Sequence, residues 1–130
     1  MRVVVDTNVI VSALLNTNGA PAKVLSLILN GIVQILYDNR IIFEYADVLS
    51  RKGFGFNTNM VNDLIGYFKY DGEFVNADHT VVQFQDEADK KFYEVHKSGS
   101  AQYLITGNIK HFPKDDTVIS PREFLDGYGR

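Results

Sequence analysis

Polar and apolar positions follow two periods along this chain, and the switches between them mark the elements. Val3, Val4 and Val5 form a short β-branched run that stops at Asp6-Thr7-Asn8. Such a run suits a strand buried on both faces. The pattern turns helical over residues 8–15 and closes at the polar Asn16-Thr17-Asn18-Gly19. A second helix opens at Ala20-Pro21, where proline fits the first turn. It carries Val24, Leu25, Ile28 and Leu29 at helical spacing and ends at Asn30-Gly31. Residues 32–37 are apolar except for Gln34 and predict a second buried strand. Asp38-Asn39 caps a helix over residues 40–51, with Ile41, Tyr45, Val48 and Leu49 as its core stripe. The Gly53-Phe-Gly-Phe-Asn57 stretch reads as a flexible connection. Thr58 then caps a helix over residues 59–70, in which Val61, Leu64, Ile65 and Phe68 are apolar.

Residues 72–84 read as extended, with Phe74-Val75 and Val81-Val82 as short β pieces. Asp86 caps a helix that runs to about residue 97. Ala88, Phe92 and Val95 make one face of it, and Asp89, Tyr93 and His96 an adjacent one. Residues 102–106 form another buried strand, stopped by Gly107-Asn108, and residues 117–119 a last one. Asp115 and Asp116 form the turn before it. Ser120-Pro-Arg-Glu123 is a capping box that opens a short terminal helix. Strands that alternate with helices predict an α/β fold of three layers, α/β/α, with a central, mainly parallel twisted sheet. Residues 1–130 are expected to form a single domain.

Composition narrows the chemistry. The 130 residues are 45% hydrophobic and 22% charged, which favours a packed core over disorder. There is no cysteine, so disulfides, thiol catalysis and cysteine-ligated zinc are excluded. No signal-peptide plan and no membrane-length apolar run occur. The expectation is a cytoplasmic protein with no membrane partner. The net charge of −3 requires any nucleic acid to be met by a local patch, by metal ions or by another protein. His79, His96 and His111 are scattered without metal-ligand spacing and read as surface or hydrogen-bonded residues.

The ligand site of an open parallel sheet lies at the carboxyl edge of its strands. The expected topology sends Asp6, Glu44, Asp86, Asp89 and Asn108 to that rim. Each has an ordinary alternative. Asp6, Asn8 and Asp86 can cap helices, and Asp89 falls in a first turn where such contacts contribute about 1 kcal/mol. Glu44 alone reads as a solvated helix residue. Together, however, several carboxylates at one site repel and raise each other's pKa unless a cation or proton compensates. Oxygen ligands without Cys or His favour Mg²⁺ or Mn²⁺. An acidic Mg²⁺ site suits phosphoryl chemistry, and no phosphate-binding glycine loop is present to suggest a nucleotide instead.

Five segments in order resemble the PIN-domain family, and within it the VapC-like toxins of toxin–antitoxin systems. They are Val3-Val-Val-Asp6-Thr-Asn-Val-Ile, Ile42-Phe-Glu44-Tyr-Ala-Asp-Val-Leu-Ser-Arg51, Asp86-Glu-Ala-Asp89-Lys-Lys-Phe92, Ala101-Gln-Tyr-Leu-Ile-Thr-Gly-Asn108-Ile-Lys-His-Phe112 and Ile119-Ser-Pro-Arg-Glu-Phe-Leu125. The resemblance implies an endoribonuclease that hydrolyses RNA phosphodiesters, with Asp6, Glu44, Asp89 and Asn108 as catalytic residues. Asp6, Glu44 and Asp89 would hold Mg²⁺ or Mn²⁺, with Asp86 as the alternative third acid. Asn8, Thr106 and Asn108 would position water or phosphate, and Arg51 and Lys52 would meet the backbone of single-stranded or looped RNA. The implied partners are the antitoxin of a type II pair and a second copy of the chain, with the Phe54/Phe56 loop as a candidate contact surface. Two positions depart from the family pattern. Asn108 stands where many relatives carry Asp, and Gln102 where Asp is common, and both are expected to make the site less acidic. The rival reading is a degenerate, non-catalytic PIN domain that binds RNA or protein. A haloacid-dehalogenase-like phosphatase is disfavoured because Asn8 stands where that family needs a second Asp.

Overall fold

The computed structural model describes residues 1–127. The opening valines form β1 (Arg2–Val5), in which Val3, Val4 and Val5 are fully buried. Two helices follow, α1 (Thr7–Leu15) and α2 (Ala20–Leu29), and they pack on each other. Gly31 closes α2 with φ +74°, a left-handed conformation that glycine adopts without strain. The chain returns as β2 (Gln34–Tyr37), then α3 (Asn39–Leu49), α4 (Thr58–Asp71) and a two-residue β3 (Glu73–Phe74). After α5 (Glu87–Ser98) come β4 (Tyr103–Ile105), a short 3₁₀ turn over Ile109–His111, β5 (Val118–Ile119) and α6 (Pro121–Gly127).

The sheet order is β3-β2-β1-β4-β5, and every pairing is parallel, as the alternation of elements predicts. β1 is central. The connection leaves it on one side toward β2 and reaches its other neighbour, β4, only after α5. The carboxyl ends of β1 and β4 therefore flank the point where strand order reverses, which is where such sheets bind ligands. α5 lies against β1, β2 and β4, while α3 and α4 lie against β2 and α2 against α6. Tyr45, Phe68 and Phe92 join α3, α4 and α5 in the core, with rings 5.6 and 6.5 Å apart.

Four local expectations need correction. Val81-Val82 forms no strand, and Val81 is 93% exposed. The extended segment at this point has no neighbouring strand to pair with. Asn57, not Thr58, caps α4, because its side-chain oxygen reaches the Met60 N–H at 3.0 Å. Ala88 is exposed, so the buried face of α5 is Phe92 and Val95 together with Glu94 and His96. Val48 is half-buried beside Ile41, Tyr45 and Leu49. The capping box stands as expected: Ser120 Oγ accepts from the Glu123 N–H and Glu123 Oε1 from the Ser120 N–H. Asp115 forms the expected turn by accepting from the Thr117 N–H at 2.8 Å.

Candidate active site

Asp6 follows β1 directly and stays on the ladder, its N–H bonded to the Ile105 carbonyl at 2.9 Å. It occupies the N-cap position of α1, yet its side chain makes no capping hydrogen bond. Instead the carboxylate turns across the sheet. Thr106 Oγ1 donates to Asp6 Oδ2 at 2.8 Å, and Asn8 Nδ2 lies 3.4 Å from the same oxygen. Asn8 also accepts from the Gly107 N–H at 3.2 Å, which ties the end of β1 to the end of β4. Thr106 in turn accepts from the Asn108 N–H at 3.0 Å. Asp6 is buried, and burial raises its carboxyl to about pKa 6 despite the Thr106 hydrogen bond. The charges of Asp89 and Glu44 push it further in the same direction.

Glu44 lies one turn into α3. It is not a freely solvated helix residue, because Thr7 Oγ1 donates to Oε2 and Lys91 Nζ sits 2.7 Å from Oε1. Asp89 lies in the first turn of α5. Its Oδ2 is buried and has no hydrogen-bond partner among the described residues, while the His111 ring nitrogen stands 3.4 Å away, charged only when protonated. Burial also raises the Asp89 carboxyl, with Asp86 adding to the effect and His111 and Lys91 opposing it. Asp86 is exposed and caps α5, accepting from the Ala88 N–H at 2.9 Å. Between the two acids of this turn, the structure turns Asp89 inward and leaves Asp86 as the cap.

The remaining expected residues divide. Thr106 and Asn8 join the site. Asn108 is exposed, and its hydrogen bonds are made by its backbone: its N–H donates to Thr106 Oγ1 and its carbonyl accepts from the His111 N–H. Gln102 lies at the opposite, amino edge of the sheet, where it accepts from the Arg2 N–H. Its replacement of an acid therefore leaves the acidity of the site untouched. Arg51 is exposed and pairs with Asp47 at 3.3 Å, and Lys52 is exposed in the turn after α3. Phe54 and Phe56 stack on each other at 5.3 Å, and Phe56 packs against the core. His96 is buried, bonded to Thr117, and lowered to about pKa 4 by desolvation, so it is a neutral packing residue.

The oxygen donors suit a hard divalent cation, and the unpartnered Asp89 Oδ2 is an oxygen such a cation would satisfy. No three such side chains converge closely enough to hold a metal ion among the described residues. Both oxygens of Glu44 are already engaged, one by Thr7 and the other by Lys91. Thr7, Lys91 and the groove beside α3 are the parts that the sequence did not announce. That groove, about 890 Å³, runs between α3 and α5 and has Phe43, Glu44, Arg51, Lys90 and Lys91 along its walls.

The sequence pattern of the PIN domain matches residues 2–110. The chain belongs to the PIN domain family. PIN domains are three-layer α/β/α folds, are generally nucleases, and usually use divalent metals. The matched span contains Asp6, Glu44, Asp89 and Asn108, while β5 and α6 lie beyond it. This PIN domain is also similar to the uncharacterized protein MJ1680 of Methanocaldococcus jannaschii, at 32% identity over 144 aligned positions. The similarity covers 98% of this chain and 92% of that protein. No solved structure matches the chain. No helix among the described residues is long and apolar enough to cross a membrane.

Proposed function

We propose that this PIN domain is a Mg²⁺- or Mn²⁺-dependent endoribonuclease and the toxin of a type II toxin–antitoxin pair. The observation that carries the nuclease reading is Asp6. Its buried carboxyl is raised to about pKa 6 and shares one electrostatic neighbourhood with Glu44 and Asp89 at the carboxyl edge of the sheet. That arrangement is costly without a compensating cation. Asp6, Glu44 and Asp89 would hold the metal, which supplies charge neutralisation at phosphate and a more acidic bound water. Thr106 and Asn8 both contact Asp6 Oδ2 and would fix the carboxylate for that role. Asn108 is a candidate hydrogen-bond donor to phosphate or water from the exposed end of β4, and Arg51 and Lys52 are candidates for the RNA backbone. The toxin assignment, its antitoxin and self-association rest on the five VapC-like sequence segments.

Labelled single-stranded RNA incubated with the protein tests the activity. Cleavage is expected with Mg²⁺ or Mn²⁺, none with EDTA, and none by Asp6→Asn, and cleavage that persists in EDTA sinks the metal-dependent reading. Expression in a host cell is expected to arrest growth with the wild-type chain and not with Asp6→Asn, and unimpaired growth sinks the toxin role. A second reading, a non-catalytic binding module, is favoured by one observation, the Lys91 ammonium on Glu44. It predicts RNA binding without cleavage under every metal condition.

A further inference from the structure

Lys91 follows Asp89 by two residues on α5, and its side chain lines the groove beside α3. Its Nζ lies 2.7 Å from Glu44 Oε1 and also donates to the Ala88 carbonyl oxygen, and the side chain is 12% exposed. A nearly buried ammonium is unfavourable unless paired and hydrogen-bonded. Here the pairing comes from the same carboxylate that the proposed metal would need. Thr7 holds the other oxygen of Glu44. An ammonium and a hard divalent cation compete for the same lone pairs.

We propose that Lys91 is the resident counter-ion of Glu44, and that a divalent cation gains this carboxylate only by displacing it. Lys91 thus sets the metal affinity of the site. The inference rests on the metal-dependent reading above. The displaced ammonium stays in the groove that it already lines. Arg51 there is paired with Asp47, Lys90 with Glu87, and Arg40 with Glu94. Lys91 released from Glu44 adds an uncompensated positive charge to this wall, where it serves as a point contact for a phosphate. Metal loading and recruitment of a phosphodiester become one event.

Isothermal titration of the full chain with MnCl₂, at fixed pH and ionic strength, tests this. Lys91→Gln is expected to bind Mn²⁺ about tenfold more tightly than wild type. Lys91→Arg keeps the charge and is expected to stay near wild type. Circular dichroism melts identify any variant that fails to fold. Equal or weaker binding by folded Lys91→Gln overturns the proposal and leaves the nuclease reading standing. No Mn²⁺ binding by wild type or Lys91→Gln overturns both. A second measurement needs no variant. In a Mg²⁺ titration followed by NMR, the Lys91 side-chain signal is expected to shift with the same midpoint as the Asp6 amide. A Lys91 signal that stays fixed while Asp6 responds overturns the proposal.

Discussion

Asp6 is where the proposed chemistry and the stability of this protein oppose each other. Burial raises its carboxyl from 3.8 to about 6, so between those pH values the folded chain binds more protons than the unfolded chain. Stability must then fall as pH rises through that window and level off above it. In EDTA, Asp6→Asn is expected to remove this slope and to be about 3 kcal/mol more stable than wild type at pH 7, with little difference at pH 4. Urea denaturation at both pH values checks it, and identical slopes for the two proteins would refute the assignment. From its own segment alone, Asp6 reads equally well as a helix cap and as a ligand, because both need a short acid after a strand. The other acids at the rim, Glu44 and Asp89, favour the ligand reading from sequence, and the missing cap bond removes the capping one. The partners of Glu44 were not legible at all. Thr7 lies in the motif beside Asp6, and Lys91 in the segment that carries Asp89, and nothing in either segment points to Glu44.

At the scale of elements, the first turn of α5 performs two separable tasks. Asp86 terminates the helix through the Ala88 N–H, and Asp89 faces the site. Asp86→Ala is expected to cost about 1 kcal/mol of stability and to leave RNA cleavage within a factor of a few. Asp89→Asn is expected to abolish cleavage without loss of stability, since it removes a buried, unpartnered oxygen charge. Parallel melts and cleavage assays decide, and the reverse pattern would make Asp86 the third acid. Helices were legible here because caps and apolar spacing agree, as in the Ser120–Glu123 box. The Val81-Val82 piece misled because β-branched residues favour extended backbone whether or not a strand is present to pair with. The Asn57-Thr58 pair offers two good caps in a row, and spacing alone does not choose between them.

At the scale of the molecule, residues 75–86 cross from β3 to α5 without regular structure, and one buried acid holds much of that crossing. Glu94 is 2% exposed; it accepts from Arg40 Nη1 at 2.7 Å and from the Thr80 N–H at 2.8 Å, with His79 3.5 Å away. Burial alone would raise its carboxyl, but Arg40 and the Thr80 N–H hold it below the ordinary value. Glu94→Ala leaves Arg40 and Thr80 without this partner and is expected to cost on the order of 3 kcal/mol. Chemical denaturation measures the loss, and limited proteolysis is expected to cut first within residues 76–85. A loss below about 1 kcal/mol would mean that the crossing is held elsewhere. The parallel sheet itself was legible, because buried strands alternating with amphipathic helices admit few other solutions. A buried glutamate was not, since its position on α5 reads as an ordinary exposed helix site until Arg40, from another helix, is brought beside it.

The central position of β1 also fixes when the protein can exist. β1 is made long before its second neighbour, β4, and the Asp6–Thr106 contact joins residues one hundred positions apart. Until the ribosome has released residues 103–106, β1 has a bare edge and Asp6 lacks the hydroxyl that orients it. A fragment of residues 1–98 is expected to aggregate and to cleave nothing, because an unpaired valine-rich edge is a template for association. Soluble, active fragment would refute this. If the chain has the proposed RNA-cleaving activity, that activity is withheld from the messenger RNA still being translated until residues 103–106 have been made.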